Sequence, residues 1–343
     1  MDEPTPLEVI TASRDEAVTL ANKTGRAELL KTLRKAEADL IARLNQTSGL
    51  KGPGKGSFTH SQLETTLRQV KDVIRTVQKE MQGILTSQGK KASDLATGNL
   101  VDYLKASNKK FKGLGESSLA IKEAGLLMQA NAGVEASILR RLASSEPDNP
   151  EDPPKPGILK RYGMATLKHF EDTLAIGLIT KKPWDEVKDG LISGSPFLQG
   201  APASWAERIV RTETIGAYNR ATFEASKEAN EELGDLCRIL AATFDDRTGW
   251  DSYQVHGQIR RLDEPFAWQG GLYNHPPNRP NDREIVVPHR ISWPIPPYLA
   301  WKSDSEVNAR YFQQRKKGSP GPRPLMTTIP LKMFGKEVSK KEE

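Results

Sequence analysis

The chain has 343 residues, 36% of them hydrophobic and 6% aromatic, so two domains with flexible segments are expected rather than one large core. Net charge is +6 and mean hydropathy is −0.58, yet the apolar residues recur at regular spacing, which favours helices with thin cores over disorder. The single cysteine, Cys237, excludes an intramolecular disulfide and any cysteine-rich zinc module.

No apolar run is long enough to span a bilayer, and Met1-Asp2-Glu3-Pro4 is acidic where a secretory signal is basic and then apolar. A soluble protein made in a cytoplasm, with no membrane partner, is the expectation. The first clear element runs from about Arg26 to Leu44, where Leu29, Leu33, Ala36, Leu40 and Leu44 mark one face of an amphipathic helix. Lys51-Gly-Pro-Gly-Lys-Gly56 lacks the Gly-Lys-Ser/Thr step of a phosphate cradle and reads as a flexible loop.

Thr59 and Gln62 form a capping box for the next helix. Its stripe is Leu63, Leu67, Val70, Ile74, Val77, Met81 and Ile84, which suits packing within the chain or against a partner helix. Weaker helical patterns at Leu95–Leu104 and Leu119–Leu142 complete a helical region over residues 1–143 that names no catalytic residue. Between Ser144 and Gly157, Pro147, Pro150, Pro153, Pro154 and Pro156 sit among acidic residues. Such a segment resists regular structure and reads as an interdomain linker over 144–157.

Ile158 to Thr180 is helical again, and Ser204 with Glu207 forms the capping box of a long helix from Trp205 to Leu233, closed by Gly234. At about 1.5 Å per residue this helix spans about 40 Å. Its apolar stripe is Ala206, Ile209, Val210, Ala217 and Ala221. At about 100° per residue Glu213 projects into the centre of that stripe, whereas Arg211 falls well away from it. A buried Glu213 requires a basic partner, with Arg247 the preferred candidate.

Leu236 to Phe244 is a short apolar run that reads as a buried strand, and Asp245-Asp-Arg-Thr-Gly249 is a turn. His256-Gly-Gln-Ile259 and Ile285-Val-Val287 are placed to pair with that strand, giving a small antiparallel sheet beside the long helix. The fold class is therefore α+β, predominantly α-helical. Residues 158–300 form the second domain, and 301–343 a basic extended tail. Over 311–341 the tail holds Arg315, Lys316, Lys317, Arg323, Lys332, Lys336, Lys340 and Lys341 against one acid, Glu337, for a net charge of +7. Four prolines prevent one continuous helix there, and the charge suits a phosphate backbone or a protein partner.

Arg211-Thr212-Glu213 with Asn219, then Asp245-Asp246-Arg247-Thr248, His256-Gly257 and His275-Pro276-Pro277-Asn278-Arg279 occur in an order that resembles the phage Mu F-like minor head proteins, also called the phage head-morphogenesis family. The resemblance covers roughly Ile158 to Trp293. It implies a minor capsid component in the virion, at the portal vertex or in the capsid interior after assembly in the host cytoplasm. The implied partners are the portal protein and other head proteins, with packaged DNA as a further contact. No enzymatic activity and no cofactor is implied. Family members often carry cysteines beside the Asp-Arg-Thr turn and in a terminal Cys-Arg-Cys box, where this chain has Thr248-Gly249-Trp250 and Asn278-Arg279-Pro280.

The polar motif residues also make sense without catalysis: Asp245, Asp246 and Thr248 as turn formers, Arg247 as a partner for Glu213, and Asp282 with Arg279 and Arg283 as pairs that hold a proline-restricted loop. The rival reading is a metal-dependent or nuclease-like nucleic-acid-processing protein packaged with the genome. Its ligands would be His256, His275 and His289, near Asp245 and Asp246, but their spacing matches no short metal motif. A transferase or nuclease centre built from Arg211, Glu213 and His256 is disfavoured by the different helix faces that projection assigns to Arg211 and Glu213.

Overall fold

The computed structural model describes residues 6–47, 59–111, 144–145, 155–156, 158–180, 182–194, 202–242, 249, 252, 255–268, 271–277, 282–297, 299–300, 332–333 and 336–337. The architecture is α+β and predominantly helical. Helices α1 (Pro6–Leu20) and α2 (Arg26–Thr47) are joined by a π-helical turn, Ala21–Gly25. They are followed by α3 (His60–Phe111), α4 (Ile158–Ile179), α5 (Trp184–Gly194) and α6 (Pro202–Leu233). Among the described residues no helix is long and apolar enough to cross a membrane.

The chain divides into two compact units that cut across the boundaries read from the sequence: residues 21–88 with 136–210, and residues 1–20 with 89–135 and 211–343. Each long helix contributes to both, so α3 and α6 change membership part-way along their length. The sequence marks linkers by composition. It does not mark a boundary that falls inside a continuous helix.

In the helical unit, α2 buries the expected Leu29, Leu33, Ala36, Leu40 and Leu44. The capping box that opens α3 is present: the Thr59 N–H donates to Gln62 Oε1 at 2.9 Å, and the Gln62 N–H donates to Thr59 Oγ1 at 3.3 Å. Lys35 lies 3.4 Å from Glu80, and Gln88 Nε2 lies 3.5 Å from Glu28, so α2 and α3 run antiparallel. Antiparallel to α3 on another side is α4, where Gly163 leaves no room for a Cβ beside Ile74 and Gln78. Lys71 reaches Glu171 at 3.9 Å along the same pair.

These two neighbours widen the buried arc of α3. Of the expected stripe, Val70, Val77 and Met81 are buried, whereas Leu63, Leu67, Ile74 and Ile84 are half-buried, and Thr66, Val73 and Leu85 join the core instead. Helix α5 packs on α4 through Val187 against Gly177.

In the other unit the expected strand is β3 (Leu236–Ala241), fully buried. It is the centre of a three-stranded antiparallel sheet with β4 (Ile259–Arg261) and β7 (Ile285–Arg290) at its edges, in the order β4-β3-β7. A hairpin of β5 (Phe266–Trp268) and β6 (Gly271–Tyr273) is added between β4 and β7 in sequence. Leu100 and Leu104 of α3, Ala225 of α6, Leu236 and Trp293 make one core cluster. Leu240, Val255, Phe266 and Val286 make another.

Two further expectations are corrected. Ser204 is not the cap of α6, because the helix begins at Pro202, whose fixed φ and missing N–H suit a first helical turn. Glu207 instead lies 3.5 Å from Arg26. In 144–157 a short antiparallel pair forms between β1 (Ser144–Ser145) and β2 (Lys155–Pro156), an extended conformation that proline at a strand edge permits. The tail likewise holds a pair, β8 (Lys332–Met333) with β9 (Lys336–Glu337). The loop 51–56, the pattern at 119–142 and the side chains of Arg315, Lys316, Lys317, Arg323, Lys332, Lys336, Lys340 and Lys341 lie outside the described residues.

Candidate functional site

The register that pairs Ala241 with Ile285 places the end of β3 and the start of β7 at the same pole of the sheet. Asn219, His256, Gly257 and Asp282 of the motif gather here. Asn219 of α6, fully buried, donates from Nδ2 to the Glu284 carbonyl at 2.9 Å and accepts the Val286 N–H on Oδ1 at 2.8 Å. A side-chain amide thus replaces a neighbouring strand along β7. Backbone groups alternate sides along an antiparallel strand, so Pro288 faces the same outer side as Val286, where its missing N–H is no loss.

His256 is buried, and its Nδ1 accepts the Ala242 N–H at 3.0 Å. Gly257 follows at φ 79°, a left-handed conformation that glycine adopts without strain. Its N–H donates to the Leu240 carbonyl at 2.8 Å, and the Leu240 N–H donates to the Gln258 carbonyl at 3.0 Å, so pairing continues beyond β4. Asp282 and Glu284 are buried at the same pole.

Glu213 is buried, as the helix projection expects. Arg211 is a correction: it too is buried, at 8% exposure, as is every residue from Ile209 to Asn219. The projection assumed one buried face, whereas this stretch of α6 has neighbours on all sides. The opposed faces that separated Arg211 from Glu213 are therefore absent. Asp245, Asp246, Arg247, Thr248, Asn278 and Arg279 lie outside the described residues, and with them the proposed Glu213–Arg247 pair.

The three histidines do not converge. His256 bonds Ala242, whereas His289 pairs in register with Cys237, five residues back along β3, or about 16 Å at about 3.3 Å per residue. His275 lies against α6, with Nε2 3.4 Å from Arg220 Nη1 and its ring tilted on Phe223. Among the described residues no group of three or more His, Cys, Asp or Glu side chains is placed to hold a metal.

The sequence reading missed the largest fully buried side chain, Arg238, in the middle of β3. Its guanidinium donates to the carbonyls of Arg261, Glu264 and Asn274, and its Cζ lies 4.5 Å from the Phe223 ring centre and 4.9 Å from that of Phe266. Burial pulls it down to about 10, against the pull of the Asp263 charge, so it stays a cation at neutral pH. Gln258 was also missed: it donates to the Ala267 carbonyl at 2.8 Å and accepts the Ala267 N–H at 3.1 Å, the same device that Asn219 uses. Arg260 donates to the carbonyls of Pro265 and Ile259. The available signal was an arginine inside the apolar run Leu236–Ala241.

At the opposite pole, Asp235 accepts from Arg290 Nε at 2.6 Å and from Ser292 Oγ at 2.7 Å. Burial opposes its charge, but these hydrogen bonds and the Arg290 cation prevail and hold the carboxyl below its ordinary range. Burial pushes the Cys237 thiol up to about 12, which leaves it protonated and unreactive. No protein-family model matches the chain, and no match is found among curated proteins or solved structures.

Proposed function

We propose that the chain is a minor capsid or head-morphogenesis protein of a tailed phage, a structural component rather than an enzyme. In this reading it acts at the portal vertex or capsid interior, in head assembly or DNA delivery. Its partners are the portal protein and other head proteins, and the basic tail contacts packaged DNA. The observation that carries it is how the motif residues are used. Asn219 and His256 spend described hydrogen-bonding groups on backbone amides and carbonyls of one small sheet, and Gly257 supplies a turn. A motif used in this way preserves a shape, which is what an assembly component needs.

Two measurements test the proposal together. Purified particles from cells expressing the gene are analysed by mass spectrometry, and the protein is expected among the head components at low copy number. Absence from particles overturns the reading. The purified protein is also expected to leave single- and double-stranded DNA intact with magnesium or manganese present. Cleavage that His256→Ala abolishes would favour the nucleic-acid-processing alternative instead.

A further inference from the structure

We propose that His289 makes the seam between α3 and the three-stranded sheet an acid-sensitive latch, closed while its imidazole is neutral and loosened when the ring takes a second proton. His289 is 1% exposed on β7. Its Nε2 lies 3.4 Å from the Trp293 carbonyl, which can only accept, so Nε2 carries the hydrogen. Nδ1 is then a lone pair, and the Tyr103 hydroxyl of α3, 3.0 Å away, donates to it. The neutral ring thereby satisfies both neighbours at once and ties the helix to the sheet.

A second proton turns Nδ1 into a donor that faces a donor. The Tyr103 hydroxyl then loses this acceptor and must turn away from the ring, while a cation stays buried. Among the described residues, the groups that face His289 offer no free anion. Asp235, at the start of β3, already holds Arg290 and Ser292. Cys237, opposite in register, keeps its proton. Helix α6 contributes apolar Ala225, Ala229 and Leu233 to this cluster. The Trp293 ring packs edge-on against the imidazole, at 5.8 Å between centres.

The charge balance agrees with the geometry. Burial pushes His289 below its ordinary value of 6.5, outweighing the Trp293 and Pro294 hydrogen bonds and the Asp235 charge. The unfolded chain therefore takes the proton first as pH falls. The latch is fully effective above that ordinary value and weakens below it, down to the lower folded-state value.

The test compares the full chain with His289→Gln in thermal melts at pH 7.5 and pH 5.5. The wild-type protein is expected to lose stability across this interval, and the glutamine variant to lose much less. So that the test does not depend on the variant folding, the wild-type protein is also followed by amide exchange, corrected for the intrinsic pH dependence. Opening at 100–107 and 286–293 should rise as pH falls below the ordinary histidine value, with no comparable rise in α2. Equal pH dependence in both proteins, or exchange at the seam that ignores acid, overturns the latch.

Discussion

The two units are held together by different means. In the helical unit, Leu29, Leu33 and Leu40 of α2 and Val70, Val77 and Met81 of α3 are all nearly inaccessible, and charge stays outside. The Lys35–Glu80 pair is 75% and 37% exposed, a geometry worth little to stability. In the sheet unit the interior also holds polar side chains. Arg238, Asn219, Gln258, His256 and His289 are all buried, and each bonds main chain. An apolar stripe tolerates exchange of one aliphatic residue for another, because its energy scales with buried area. A buried amide or guanidinium does not, because its neighbours lose specific partners.

This contrast can be broken most directly at Arg238. Arg238→Ala leaves the carbonyls of Arg261, Glu264 and Asn274 without their donor and opens a void between Phe223 and Phe266. A loss of roughly 3–5 kcal/mol is expected, read as a lower urea midpoint. Arg238→Lys should recover only a part, because one ammonium cannot reproduce the fork. A variant as stable as the parent would mean that the carbonyls find water instead.

A smaller loss is expected for Asn219→Ala, about 2–4 kcal/mol, since the Glu284 carbonyl and the Val286 N–H lose their partners. Asn219→Asp, which keeps the acceptor and loses the donor, should also be destabilised, and equality with wild type would remove the clamp from the account. The smallest effect belongs to the helical unit. Thr59→Ala removes one half of the capping box and should cost about 1 kcal/mol in chemical denaturation with an unchanged slope.

The same division explains what the sequence made legible. Periodicity exposes α2, much of α3 and the buried β3, because leucines and valines announce a face or a strand. The cap at Thr59 is visible because both partners lie three residues apart. Partners distant in sequence leave no such trace. Nothing local links Asn219 to Val286 or Tyr103 to His289, and Arg238 looks like an irregularity in an apolar run. Projection placed Glu213 inside but Arg211 outside, since a helical wheel cannot show neighbours on every side. The 11-residue α5 and the three-residue strands β5 and β6 were too short to stand out. His256, His275 and His289 are near one another in sequence, but the sheet register and the α6 contact keep them apart in space.

The outer edge of β7 has a consequence for how copies of this chain coexist. An uncovered strand edge is a template on which a second chain can zip up, and crowding favours such contacts. Here the amide of Asn219 occupies the rung at Glu284 and Val286, and Pro288 offers no hydrogen at the next. Wherever many copies are held close together, this edge is refused to a foreign strand, so a shared sheet cannot grow from β7.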